Sequence, residues 1–508
     1  MPPRTRRRAA CLGFVASLLL PAAALAQGSA CTALAAPGLF PNTAVSAARD
    51  VPAEGATPAH CEVTAMVRPV EGSSIGVVVR LPENWNGRLL GIGGGGFAGD
   101  VRLDTMRPAL ARGYAVAGTD AGHPSADSLD PSWALRPDGQ LNREAVTDFG
   151  HRAVHEMTVL AKQVVAHRYG RPQDRTYWQG CSTGGRQGLA EVQRYPEDYD
   201  GVIAGAPVYN MVVYSSAILR TQFFHAAPGN NLTPAQVPLV AAAVQRACDR
   251  LDGVADGVLT DPRRCSWDPA ELRCTGNNGP DCLTDRQVET VRKMYAGVTT
   301  ADGRVAAAPS MRGGELDWLD RSVGTRELPL GRNAVLGAPF ISYLVENNPR
   351  YDLMSYDPER DQARIESSFA ASQIVMNDAE IAPFLRRGGK LLLWHGFNDP
   401  GPSPTQTVAY LDRVTRALGG EDEARGQVRL FLAPGVFHCR GGPGPDQFDT
   451  LSALEAWVER GVAPERIVAT KANSPVSRPL CPYPLAARYD GSGDPNDANS
   501  FRCAPAGG

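Results

Sequence analysis

Gly180-Cys181-Ser182-Thr183-Gly184 lies between the apolar pair Tyr177-Trp178 and a helix-like run from Arg186 to Arg194. The pattern is G-x-S-x-G in a strand, sharp turn, helix context. Its glycines let the turn tighten until the Ser182 hydroxyl stands exposed at the top of a sheet. Ser182 is preceded by Cys181, and far along the chain His438 is followed by Cys439. A disulfide between those cysteines would staple a nucleophile to its base.

Working outward, Gly76–Leu81, Leu89–Ile92 and Tyr114–Thr119 read as strands. A long helical stretch runs from about Arg143 to Tyr169, and Asp200–Pro207 is the strand after the nucleophile. Strands alternating with helices predict a mainly parallel sheet covered on both faces. The alternation breaks between 208 and 372, which is rich in Gly and Pro and holds four cysteines. It resumes with a helix over Asp378–Arg387 and a strand at Lys390–Trp394. Then come a helix from Ser403 to Ala417 with Pro404 in its first turn, a strand at Val428–Leu432 and a helix from Asp446 to Glu459. Tyr489–Gly508 reads as loop. The fold class is α/β: a hydrolase core in two parts (27–207 and 373–508) interrupted by a lid over 208–372.

The amino terminus reads as a signal peptide over residues 1–26. Arg4, Arg6, Arg7 and Arg8 precede an apolar run, and Ala24-Leu25-Ala26 is a small-residue cleavage site. This predicts export to the periplasm or medium. No later segment is apolar enough to span a bilayer. Formal net charge is −3, and removing four arginines leaves −7. With no basic block, nucleic acid is a poor partner.

Cys11 leaves with the signal, so ten of eleven cysteines remain, an even number in an exported chain. Sequence alone does not fix their pairing. Nearness suggests Cys31–Cys61, Cys248–Cys265, Cys274–Cys282 and Cys481–Cys503, leaving Cys181 and Cys439. That last bridge would close a very long loop, with an entropic ceiling of about 5 kcal/mol.

Hydrolases of this class order their triad as Ser, acid, His. Of eight histidines only His225, His395 and His438 follow Ser182. His225 opens the lid, whereas His438 follows the last strong strand. Asp399 follows the strand before it and is the expected acid. In these roles His438 takes the Ser182 proton and Asp399 fixes the imidazole tautomer. Of the two oxyanion N–H groups, one is expected from Thr183. The other is expected from Gly93-Gly94-Gly95-Gly96, with Gly95 favoured and its neighbours left open.

Asp249, Asp252 and Asp256 are spaced by glycines on one tight stretch closed by Cys265. Hard oxygen ligands so placed suit calcium, with Val254 and Val258 able to add carbonyls. The spacing is not that of an EF-hand, and a solvated acidic turn is the alternative.

Together these motifs resemble the tannase/feruloyl esterase family of α/β-hydrolases. The likeness rests on Gly93–Gly99, on Gly180-Cys181-Ser182-Thr183-Gly184-Gly185-Arg186-Gln187-Gly188, on His395-Gly396 with Asp399, and on His438-Cys439. The resemblance implies a serine carboxylesterase with no organic cofactor, a lid calcium on Asp249, Asp252, Val254, Asp256 and Val258, and small esters of aromatic acids (galloyl, feruloyl or cinnamoyl) as substrates. The family also includes hydrolysis of mono(2-hydroxyethyl) terephthalate. There a lid tryptophan packs on the ring and a lid arginine pairs with the free carboxylate, positions to which Trp318 and Arg332 are similar. His395 is a third substrate contact expected on this likeness. Leu336, Gly337 and Pro402 depart from the bulkier or polar pocket expected for that substrate. A serine peptidase or acyltransferase on the same triad, or a catalytically silent binding protein on the same fold, are the other readings.

Overall fold

The computed structural model describes Met1 and residues 29–276, 279–325 and 330–505. The proposed signal peptide lies outside the described residues, apart from Met1. Nine strands form one sheet: β1 (Thr43–Val51), β2 (His60–Val67), β3 (Ile75–Pro82), β4 (Arg88–Ile92), β5 (Ala115–Thr119), β6 (Arg175–Cys181), β7 (Gly201–Gly205), β8 (Lys390–Gly396) and β9 (Val428–Ala433). Their spatial order is β1-β2-β3-β5-β4-β6-β7-β8-β9. β5, β4, β6, β7, β8 and β9 run parallel, while β1, β2 and β3 form an antiparallel flank. This is the α/β-hydrolase architecture.

Alternation along the parallel strands explains why both faces are covered. Leu391 and Leu393 of β8 join the core on one face, with Val202, Trp178 and Leu430. Leu392 and Trp394 join the other, with Ile203, Tyr177 and Phe431. Each strand therefore reads as a nearly continuous apolar run. Helix α1 (Leu103–Ala111) and helix α5 (Thr450–Arg460) bring Leu110, Leu451, Leu454 and Trp457 to the second face. Helix α2 (Ala153–Tyr169), helix α3 (Thr183–Arg194) and helix α4 (Pro404–Ala417) supply the first, through Met157, Val164, Leu189, Tyr410 and Val414.

Several expectations need correction. The stretch from Arg143 is not one helix: a π-turn over Asp148–Arg152 separates Arg143–Thr147 from α2. Asp148, buried there, is bonded to distant Ser73 and, within the turn, to Arg152, so one tertiary and one local contact hold the wider turn. The helix expected over Asp378–Arg387 shortens to Ala382–Arg386. The carboxyl-terminal stretch is not loop alone. Leu485–Tyr489 pairs antiparallel with Phe501–Pro505, and Cys481–Cys503 ties the hairpin down. The segment after β7 carries helices from Met211–Ala226 (16 residues) down to single turns, and its own core of Val237, Val240, Trp267, Val288, Val291 and Trp318.

Candidate active site

Strand ends place the reacting groups. Ser182 sits between β6 and α3 with φ +63° and ψ −122°, a backbone conformation disfavoured for a residue with a side chain. Neighbouring glycines make room for it. A Cβ on Gly180 would stand 2.5 Å from the Gly184 carbonyl carbon, and one on Gly93 would stand 2.5 Å from the Gly184 Cα.

His438 Nε2 is 2.8 Å from Ser182 Oγ, and His438 Nδ1 is 2.6 Å from Asp399 Oδ2. The carboxylate can only accept, so Nδ1 carries the proton and Nε2 is free to take one from serine. Asp399 is fully buried, and Oδ1 accepts from the Gly401 amide at 2.7 Å. Burial alone would raise its carboxyl. The His438 charge and the hydrogen bonds from His395 and His438 outweigh this and hold Asp399 well below the usual carboxylate range. Burial pushes the His438 imidazole down; Asp399 opposes that, and the Arg321 guanidinium adds to it. The sequence-expected bridge forms beside these groups: Cys181 and Cys439 are joined, and so are the other four pairs suggested by nearness.

The glycine loop can be narrowed. The Gly94 amide donates to Gln187 Oε1 at 3.0 Å and the Phe97 amide to Ser128 O at 2.8 Å. Among the described residues, no hydrogen bond takes up the amides of Thr183, Gly95 or Gly96. Thr183 Oγ1 donates to Gly96 O at 2.6 Å, which locks the loop against the helix N-terminus. Free N–H groups aimed beside a nucleophile are what an oxyanion site requires.

The three expected substrate contacts are redistributed. His395 is fully buried beneath Asp399 rather than facing a cavity. Its Nε2 lies 3.0 Å from Pro402 O and 3.2 Å from Asp399 Oδ2, both acceptors, so Nε2 is protonated and Nδ1 accepts from Thr407 at 2.7 Å. It positions the acid. Trp318 is also fully buried, tilted against Tyr295 in the apolar cluster of the segment between β7 and β8. The apolar packing that encloses an indole in a helical segment competes with any ligand for it. Arg332 does line the cleft beside Ser182, but its guanidinium pairs with Asp320 at 2.8 Å.

Residues outside the sequence reading complete the site. Arg321 pairs with Asp317 at 2.8 Å and lines both cavities that meet at Ser182 and His438. Asn398 accepts from the Gly435 amide and donates to Arg312 O, tying the His438 loop to the segment between β7 and β8. Arg186 donates to the carbonyls of Gly150 and Phe149 while stacking on the Phe149 ring, which fixes that ring in the narrower cavity. Besides Phe149, that cavity is lined by Phe97, Val208, Met211, Tyr214 and Leu336. The wider cleft, about 1280 Å³, runs past α1 and the start of α5.

The acidic stretch folds as a compact loop closed by Cys248–Cys265. Asp249 Oδ1 accepts from the Gly257 amide, Asp252 from the Val254 and Thr260 amides, and Asp256 from the Val258 amide and Arg478. Burial, then the neighbouring carboxylates of Asp256 and Asp252, push the Asp249 carboxyl up. No hydrogen bond among the described residues uses the Val254 or Val258 carbonyl. The loop thus gathers three carboxylates and two free carbonyls, oxygen donors of the kind a hard cation takes, but among the described residues the three carboxylates do not converge on one point. Arg478 already pairs with Asp256.

Comparison with known proteins agrees with this geometry. The sequence profile of tannase and feruloyl esterase matches residues 61–504. The mono(2-hydroxyethyl) terephthalate hydrolase of Piscinibacter sakaiensis is 34% identical over 94% of this chain and 92% of its own length. A probable feruloyl esterase of Arthroderma benhamiae is 33% identical over 85% of this chain and 82% of its own. The crystal structure of feruloyl esterase B from Aspergillus oryzae superposes with a TM-score of 0.81 at 28% identity, covering 92% of this chain and 97% of that one.

Proposed function

The chain belongs to the tannase and feruloyl esterase family and is a carboxylic ester hydrolase, and from that premise we propose that it hydrolyses esters of aromatic acids through an acyl-enzyme on Ser182. The observation that carries this reading is the narrower cavity opening on Ser182 Oγ, walled by Phe97, Phe149, Tyr214 and Leu336. Apolar and aromatic walls suit an aromatic acyl group, and the space between them, about 30 Å³ as it stands, must widen by side-chain movement to admit one.

In this mechanism the Ser182 proton passes to His438 Nε2 as Oγ attacks the ester carbonyl. The negative charge that develops faces the amides of Thr183 and Gly95. The carbon–oxygen bond to the alcohol then breaks, and His438 returns the proton to the departing oxygen. Water, deprotonated by His438, attacks the acyl-enzyme and releases the aromatic acid. Asp399 keeps Nδ1 protonated throughout, and His395 with Gly401 keeps Asp399 in place. No organic cofactor takes part.

Calcium is proposed as a structural ion on Asp249, Asp252, Val254, Asp256 and Val258. When bound it would neutralise the carboxylates of that loop, and no step of the reaction runs through it. Export is proposed from residues 1–26 and is supported by five disulfides, which persist in oxidising compartments. Among the described residues, no helix is long and apolar enough to cross a membrane.

Hydrolysis of mono(2-hydroxyethyl) terephthalate is the second reading, favoured by the likeness to the Piscinibacter sakaiensis enzyme. Against it, Trp318 is enclosed and Arg332 is already paired. The test is to assay methyl ferulate, methyl gallate and mono(2-hydroxyethyl) terephthalate side by side on the disulfide-intact protein. We expect turnover of a ferulate or gallate, lost by about 10⁴-fold or more in Ser182→Ala. Folded protein that turns over none of them would sink the aromatic-ester reading.

A further inference from the structure

An ester has two halves, and two cavities meet at Ser182. We propose that the wider cleft binds an anionic group on the alcohol half of the ester, held by Arg102 and Arg440. The preferred leaving group is then a hydroxy acid, released with its carboxylate intact. This rests on the aromatic-ester reading, which assigns the acyl half to the narrower, apolar cavity.

Charge distribution is the first argument. The described lining of the wider cleft holds five arginines (Arg102, Arg112, Arg321, Arg332 and Arg440) against three aspartates (Asp317, Asp320 and Asp449). The chain as a whole is acidic, with a formal net charge of −3. A concave basic lining in an acidic protein concentrates anions where the field lines converge.

Partnering is the second. Arg112 is paired with Glu455 and Asp449, Arg321 with Asp317, and Arg332 with Asp320. Arg102 and Arg440 have no hydrogen bond or ion pair to any carboxylate among the described residues. Their placement is not arbitrary. Arg102 Nη1 lies 3.5 Å from the point where a Cβ on Gly95 would stand, so the guanidinium flanks the loop proposed for the oxyanion. Arg440 follows Cys439 directly, two residues after His438. Two unpaired guanidinium groups therefore belong to the two loops that bound the reacting serine. Each can offer the planar fork that matches a carboxylate. The narrower cavity has no such group: its two arginines, Arg186 and Arg321, are committed to backbone carbonyls and to Asp317.

The step itself is ordinary ester hydrolysis. The acyl carbon–oxygen bond breaks, the hydroxy acid's oxygen takes the proton from His438, and water completes the acid product.

The test compares feruloyl glycolate with its neutral twin feruloyl glycolamide, which share one acyl group and nearly one shape. At low ionic strength we expect kcat/KM about tenfold higher for the glycolate, carried mainly by KM. The ratio should fall toward one in about 1 M salt, where the screening length shrinks to about 3 Å. It should also fall toward one in Arg102→Gln/Arg440→Gln. Because the ratio is read within each protein, a general loss of activity cancels. If the double variant does not fold, each single variant should lower the ratio about threefold. A ratio of one or less in the unmodified enzyme overturns the proposal, as does a ratio that survives both substitutions. A preference for charge on the acyl half, read as monomethyl over dimethyl terephthalate, overturns it as well. Hydrolysis of the glycolamide without any charge preference defeats this inference and leaves the esterase reading standing. Turnover of neither ester defeats both.

Discussion

The triad and the segment between β7 and β8, proposed as a lid, hold their side chains by different means. Ser182, Asp399 and His438 follow β6, β8 and β9, parallel strands whose register fixes where each exit loop begins. The lid places its side chains through helices, 3₁₀ turns and π-turns, such as Leu319–Val323, packed on a separate core. A residue at a strand exit is located by a sheet that extends across the molecule. A residue in the lid is located by which neighbour outcompetes the others for its apolar surface. The first kind of position is set by strand register, and the second can be absorbed into packing.

The largest effect that would test this contrast is in the core. Asp399→Asn should lower kcat on methyl ferulate by about 10⁴-fold with little change in KM, because the amide favours the wrong His438 tautomer. A loss of tenfold or less would mean that strand-exit geometry does not position the base. In the lid, the proposed calcium should act on stability instead. An ion held at a hundredfold excess over its dissociation constant contributes about 2.7 kcal/mol. Chelation should therefore lower Tm by several degrees, and Asp252→Asn should remove that sensitivity; an unchanged melting curve under chelation would eliminate the ion.

A smaller effect links the two regions. Neutral His438 is the active base, and burial together with Arg321 favours the neutral form. Activity should thus persist below the ordinary histidine range of about 6.5 and be lost only as pH falls further. Arg321→Gln removes one depressing charge, so the acid limb of kcat/KM should move to higher pH. A limb that stays put would uncouple the lid arginine from the base. Smallest of all, Trp318→Phe should lower Tm while leaving KM for aromatic esters within about twofold. A KM rise near tenfold would return Trp318 to the substrate.

The same contrast explains what could be read from the chain. Lys390–Trp394 and Val428–Leu432 are continuous apolar runs, so β8, β9 and the loops carrying Asp399 and His438 were legible. Ser182 was legible because a strained turn demands small neighbours. The edge strand β1 was not, since Thr43–Val51 is mostly half-exposed and carries Arg49 and Asp50. The π-turn at Asp148 depends in part on Ser73, a partner far away in the chain. Trp318 is buried against Tyr295, a setting the sequence could not show, because an indole has the same sequence signature whether it faces a ligand or another ring. His395 had the right neighbourhood and the wrong face: one residue past Trp394 on β8, it points to Thr407 and Asp399. Arg102 and Arg440 are single cations on loops, and no periodicity marks them.

Two cavities converging on one serine also impose a timetable. On the proposed division of the ester, the acyl ring lies toward the narrower cavity, and the wide cleft is left to connect solvent with the bond still to be broken. The alcohol must depart by that doorway before water can enter through it, and the acid leaves last. Any second alcohol lingering in the doorway would compete with water for the same acyl group, so the shape of the entrance, rather than the triad, sets how much of each turnover ends in hydrolysis and how much in exchange.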